Sequence, residues 1–163
     1  MSALAHALVA TLTDRGERIA IAESLTGGML VARLVDVPGA SAVVSGGIVA
    51  YATPLKASLL DVPDELLGQH GPVHPDVALA MAVGVRARLA IADRPADIGV
   101  ATTGVAGPEP QGGSPVGLVY VAVADARGTS VRELRLAGGR AAIRSAAVDA
   151  ALALALDRLY ARE

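Results

Sequence analysis

The amino-acid sequence predicts a single α/β domain over residues 1–163, a layered sandwich in which helices flank a mixed β-sheet. Three observations predict it. Short apolar runs suited to buried strands alternate with segments of helical periodicity through the first part of the chain. Two alternating segments near the end form a hairpin signal, which adds antiparallel pairing to the parallel pairing that strand–helix alternation requires. Hydrophobic residues make up 53% of the chain but aromatics only 2%, with no Phe and no Trp, so Ala, Val, Leu and Ile must form the core. A chain of this length buries roughly two-thirds of its unfolded surface, enough for such a core.

The elements follow in order. Leu4, Leu8 and Leu12 lie four apart and mark one face of a helix over Leu4–Thr13, with Gly16 as its stop. Arg18–Ala22 (RIAIA) is a short apolar strand. Glu23–Gly28 (ESLTGG) is a small-residue turn that opens a helix over Met29–Val35. Val43–Ala52 reads as a strand with a glycine pair inside it, a mark of a bulge or of close backbone approach. Pro54–Leu60 and Pro63–Gln69 are short helices opened by proline, and Pro75–Ala92 is a longer one. Asp97–Thr102 is a second buried strand. Gly104–Pro115, rich in Gly and Pro, reads as a long loop within the domain, and such loops are commonly functional. Gly117–Ala124 and Thr129–Leu136 form the hairpin, and Gly138–Tyr160 closes the chain as an alanine-rich helix.

Composition excludes several functions. The net charge is −2 and the pI about 5.9, which argues against a generic nucleic-acid binder, since the phosphate backbone calls for a basic face. Three tyrosines are too few for a base-stacking platform. With no cysteine there is no disulfide, thiolate metal site or Cys nucleophile. Met1–Ala10 lacks a basic leader region and reads as a helix start, and Ala146–Leu159 is too short and carries too much charge to span a bilayer. The expectation is a soluble, cytoplasmic protein that binds neither nucleic acid nor membrane.

Ser24 is the residue that best suits chemistry. It stands where a strand gives way to a helix, so its hydroxyl can be presented above the sheet while helix N-terminal amides hold a developing oxyanion. Gly27 and Gly28 leave that backbone open to a substrate. The alternative is that Ser24 or Thr26 is simply an N-cap. A serine nucleophile needs a base. The histidines are His6, His70 and His74; Gly71-Pro72 prevents the last two from forming a helical metal pair, and no other cluster suggests a metal. Lys56 is the only lysine, and burial can lower a lysine pKa until the amine is a base, which arginine does not allow. Tyr51 stands near enough in sequence to orient a proton. Lys56 as a solvated first-turn residue and Tyr51 as an ordinary strand aromatic are the alternatives. Thr103 and Gly104 follow a buried strand, where open α/β sheets bind ligands. Arg140 and Arg144 share one face at the start of the last helix and could clamp a phosphate or pair with surface carboxylates.

Several segments, in order, resemble the C-terminal domain of the competence/damage-inducible CinA proteins, a family that includes stand-alone nicotinamide-nucleotide amidases. They are AESLTGG at 22–28, DVPGAS at 36–41, GGIVAY followed by Lys56, ATTGVAGP at 101–108, PVGLVYVAV at 115–123 and GGR…IR at 138–144. The resemblance implies hydrolysis of nicotinamide mononucleotide (NMN) to nicotinic acid mononucleotide and ammonia, without a cofactor or metal. It implies Ser24 as nucleophile, Lys56 as base and Tyr51 as assisting hydroxyl. It further implies the amides around Thr26, Gly27 and Gly28 for the oxyanion, Thr103 and Gly104 for the substrate, and Arg140 and Arg144 for its phosphate. It points to a homo-oligomer, a dimer, to which the small residues of the last helix could contribute. The chain departs from the family pattern at Gly71–Ala78, which reads GPVHPDVA, and at Gly139. Two other readings stand beside it: a Ser–Lys amidase acting on another nucleotide-like amide, and a non-catalytic binding module.

Overall fold

The computed structural model describes residues 2–161. Along the chain run α1 (Ala3–Arg15), β1 (Ile19–Glu23), α2 (Met29–Val35), a 3-10 turn (Ala40–Ala42) and β2 (Val44–Val49). Then come α3 (Thr53–Leu60), α4 (Asp64–His70), α5 (Pro75–Arg88), β3 (Ile98–Gly104), β4 (Leu118–Asp125), β5 (Gly128–Arg135) and α6 (Arg140–Tyr160). The five strands form one sheet in the order β2-β1-β3-β4-β5. β1 pairs in parallel with both β2 and β3, whereas β3–β4 and β4–β5 are antiparallel. The sheet is therefore mixed, as the late hairpin predicts.

The two faces of the sheet differ in side-chain size. Ile19, Ile21, Ile98, Val100, Val119, Val121 and Val123 point to one side and pack against α1, α2 and α6. The opposite side carries Ala20, Ala22, Ala101, Ala122 and Ala124 and receives α3 and α5. Small residues on this second face let α5 sit close to the sheet. At Gly99 a Cβ would run into the carbonyl of Ala82 on α5, so no larger residue fits there without moving the helix. At the far end of α6, Arg158 donates two hydrogen bonds to the buried Asp125 at the end of β4, at 2.9 and 2.8 Å. Among the described residues no helix is long and apolar enough to cross a membrane.

Most element ends lie within two residues of the expected ones. α5 and β2 are the exceptions, and α5 ends at Arg88 rather than Ala92. A tight turn replaces its last residues: Ile91 and Arg94 exchange backbone hydrogen bonds at 3.0 and 3.1 Å, and Ala92 and Asp93 between them have φ of 53° and 61°. Two left-handed residues cannot continue a helix, and Ala-Asp lacks the glycine that normally signals such a turn. β2 also stops short, at Val49, although the Ala50 amide still donates to the Glu23 carbonyl at 2.8 Å.

The connections decide where a ligand can sit. The chain leaves β1 through α2 on one face to reach β2, then returns through α3–α5 on the other face to reach β3 on the far side of β1. The strand order therefore reverses at β1. In open α/β sheets the crevice beyond the strand C-termini at such a point is the usual ligand site. The segments Ser24–Gly28 and Thr103–Gly107 lie at those ends.

Candidate active site

Strand alternation sets the first two residues of the site. In β1 the even positions Ala20 and Ala22 face α3 and α5, and the odd positions Ile19 and Ile21 face α2 and α6. The ladder continues one residue past the strand, because the Ser24 amide donates to the Thr102 carbonyl at 3.0 Å. Ser24 therefore belongs to the side of α3. On α3, Lys56 and Leu60 lie one turn apart on the buried face. Lys56 Nζ reaches the Ala50 carbonyl oxygen at 2.8 Å and Ser24 Oγ at 3.1 Å. The lysine is 1% exposed, and among the described residues no carboxylate pairs with it. Burial lowers its pKa from 10.5 to about 8. The neutral amine is thus accessible near neutral pH, and it rests against a serine hydroxyl.

Glu23, at an odd position, points the other way, towards the start of α2. It is fully buried and its carboxylate accepts hydrogen bonds from the amides of Gly28 (3.1 Å), Leu30 (2.9 Å) and Val31 (2.9 Å). A carboxylate on the first amides of a helix satisfies donors that the helix itself cannot, and complements its dipole. This corrects the expectation that the amides of Gly27 and Gly28 are open to an oxyanion. The Gly28 amide is held by Glu23, and the Gly27 amide donates to the Ser24 carbonyl at 3.1 Å. Gly28 instead supplies a left-handed backbone (φ 94°) at the N-cap of α2. For Thr26 the side chain and the amide part company, and only the amide stays open. Its side chain is fully buried and shares a hydrogen bond of 2.8 Å with the Thr102 hydroxyl, on the side of the sheet away from Lys56. Among the described residues, the turn's amides without a partner are those of Leu25 and Thr26.

The cavity above Ser24 and Lys56 is lined by Leu25, Tyr51, Thr103, Gly104, Glu109 and Arg140, among others. Thr103 lies at the end of β3 on the α3 side, and its hydroxyl donates to the Pro72 carbonyl at 2.7 Å. That bond ties the loop between α4 and α5 to the cavity wall and leaves the hydroxyl oxygen able to accept. Tyr51 is 59% exposed, and its hydroxyl accepts from Arg140 at 3.0 Å. It stands at the mouth of the cavity beside Arg140, without a hydrogen bond to Ser24 or Lys56. Arg140 also donates to the Gly107 carbonyl at 2.7 Å. It has no carboxylate partner among the described residues, which leaves its charge available to an anion.

Arg144 acts elsewhere. Its guanidinium donates to the carbonyls of Leu25 (2.8 Å) and Thr26 (2.9 Å), so it clamps the turn after Ser24 from behind and does not line the cavity. One helical turn separates the two arginines, and only the first reaches the cavity. His70 and His74 stack with ring centroids 4.1 Å apart, and His74 caps α5 by accepting from the Asp76 amide at 3.3 Å. Among the described residues no cluster of three or more His, Asp or Glu could hold a metal ion. Glu23, Thr102 and the Ala50 carbonyl were not singled out by motif. Period-2 alternation along β1 and β3 was the signal that could have placed the two side chains.

The family model for the CinA C-terminal domain matches residues 1–159. The chain belongs to the CinA C-terminal domain family. A CinA-like protein of Frankia casuarinae is 52% identical over 143 residues, covering 88% of this chain and 32% of that protein. A putative competence-damage inducible protein of Desulforamulus reducens is 50% identical, covering 88% of this chain and 34% of that one. The chain thus spans about a third of the length of these CinA relatives. Among solved structures, the competence/damage inducible protein CihA of Agrobacterium tumefaciens superposes with a TM-score of 0.88 at 37% identity, covering 96% of this chain and 93% of the other. A CinA superfamily protein of Klebsiella pneumoniae gives 0.90 at 30% identity, covering 96% of both chains.

Proposed function

We propose that the chain is an amidohydrolase that converts NMN to nicotinic acid mononucleotide and ammonia by acyl transfer through Ser24 and Lys56. The observation that carries the proposal is the contact of 3.1 Å between Lys56 Nζ and Ser24 Oγ inside the cavity, with the lysine buried and its pKa lowered to about 8. A serine hydroxyl beside a neutral amine is an activated nucleophile.

The steps follow from that pair. The neutral Lys56 amine keeps donating to the Ala50 carbonyl while its lone pair accepts the Ser24 proton. Ser24 Oγ bonds to the carboxamide carbon, and the carbonyl oxygen becomes an oxyanion. The amides of Leu25 and Thr26 are the donors left for it in the turn, now that Glu23 and the turn itself use those of Gly28 and Gly27. The Lys56 ammonium then returns its proton to the leaving nitrogen, the C–N bond breaks, and ammonia departs. Water attacks the acyl-enzyme, again yielding a proton to Lys56, and the acid is released as Ser24 regains its proton. Arg140, on the cavity wall without a carboxylate partner, suits the substrate phosphate. Glu23 and Arg144 hold the turn that carries Ser24 from its two ends.

Incubation of the purified chain with NMN is expected to release ammonia, and Ser24→Ala and Lys56→Ala to abolish the release. Robust turnover surviving both substitutions rules the pair out.

A further inference from the structure

The cavity wall carries charges of both signs. Its ionisable lining residues are Tyr51, Lys56, Glu109 and Arg140. Glu109 is the one carboxylate among them, and it is the one charged residue in the whole Gly104–Pro115 loop. It makes no hydrogen bond or ion pair among the described residues, unlike Glu133, Asp61, Asp97 and Asp157, which pair with arginines. Its position is not left to a free loop. Two residues before it, the Gly107 carbonyl is gripped by Arg140 at 2.7 Å, the same arginine that reaches the Tyr51 hydroxyl.

We propose that Glu109 is a specificity-determining residue whose carboxylate selects amides carried on a cationic ring over uncharged amides of the same shape. The inference rests on the amidase reading and deepens it. Without Glu109 the cavity would present only Arg140 and a partly protonated Lys56, which suit an anionic group and repel a positive one. A ribotide with a pyridinium ring and a phosphate is a zwitterion with its charges at opposite ends. A wall with one unpaired carboxylate and one guanidinium free of any carboxylate complements that arrangement. Glu109 is exposed, so its contribution is screened and modest.

The experiment compares NMN with the 5′-phosphate of benzamide riboside, which has the same carboxamide and phosphate but no ring charge. Glu109→Gln is expected to raise KM for NMN by about threefold to fivefold, leave KM for the uncharged ribotide within about twofold, and leave kcat for both nearly unchanged. Glu109→Lys is expected to raise KM for NMN further than Glu109→Gln does, and high salt to shrink the effect of either substitution. An equal response of the two ribotides, or none, overturns the inference while leaving the amidase reading intact. If the wild-type chain releases ammonia from neither, the amidase reading falls. Calorimetric titration of the same two ribotides into wild-type and Glu109→Gln protein then decides the inference: preference for the cationic ribotide that the variant loses supports it, and equal binding or no binding of either contradicts it.

Discussion

Replacing Lys56 with methionine tests burial of the lysine without reference to any substrate. The side chain is 1% exposed, and burial takes its pKa from 10.5 to about 8. The folded state therefore releases its proton at lower pH than the unfolded state does. Below about pH 8 both states hold the proton, and the difference in stability between the wild type and Lys56→Met is constant. Between about 8 and 10.5 the unfolded wild-type chain binds the extra proton, so wild-type stability rises with pH relative to the variant. Above 10.5 neither state holds it and the difference levels off. The full rise is about 3 kcal/mol, from about 1.4 kcal/mol for each pH unit between the two values. Lost hydrogen bonds to Ala50 and Ser24 shift the variant by the same amount at every pH, so the slope isolates the titration. Lys56 is the chain's only lysine, and the tyrosines are common to both proteins. Urea unfolding of the two proteins from pH 7.5 to 10.5 measures the effect. A stability difference that stays flat across that window would refute the reasoning, because a lysine that titrates normally is not desolvated.

Three further expectations follow from the same structure. With Lys56 as the base, kcat/KM for NMN should rise about tenfold from pH 7 to pH 9 with an apparent pKa near 8, and a profile flat over that range counts against it. Glu23→Ala removes the acceptor of three amides at the start of α2 and should lower stability in denaturant by about 2–4 kcal/mol, with Glu23→Gln recovering part of the loss; a change below about 0.5 kcal/mol contradicts the role given to Glu23. Gly99→Ala drives a methyl group into the Ala82 carbonyl and should cost about 3 kcal/mol or more in thermal or urea unfolding, whereas a near-neutral effect means that α5 sits farther from the sheet than described.

The sequence made the layered fold readable because its signals were local. RIAIA, the helix periods and the late hairpin each specify an element from within a few residues, and α1, β1, α2 and β5 lie close to where those signals put them. The order β2-β1-β3 was not local. It depends on α2 covering one face and α5 the other, a division visible only once Ile and Val are seen to share one side of the strands and Ala the other. At the site, the single lysine makes Lys56 a candidate base, and the family resemblance is what pairs it with Ser24 across 32 residues. The glycine turn misled for a physical reason: a helix N-terminus looks open in sequence whether or not a buried carboxylate fills it, and Glu23 fills this one. The paired arginines misled similarly. Spacing of four puts Arg140 and Arg144 on one helix face, but only their three-dimensional neighbours separate a cavity residue from a clamp on the turn.

The central claim is that Ser24 becomes acylated. Acid quenching of the chain milliseconds after mixing with NMN, followed by peptide mass mapping, tests it most directly. The account predicts a transient gain of the nicotinoyl ribotide acyl mass on the peptide that contains Ser24, absent from Ser24→Ala. Ammonia release with no adduct on that peptide, continuing undiminished in Ser24→Ala, would contradict it.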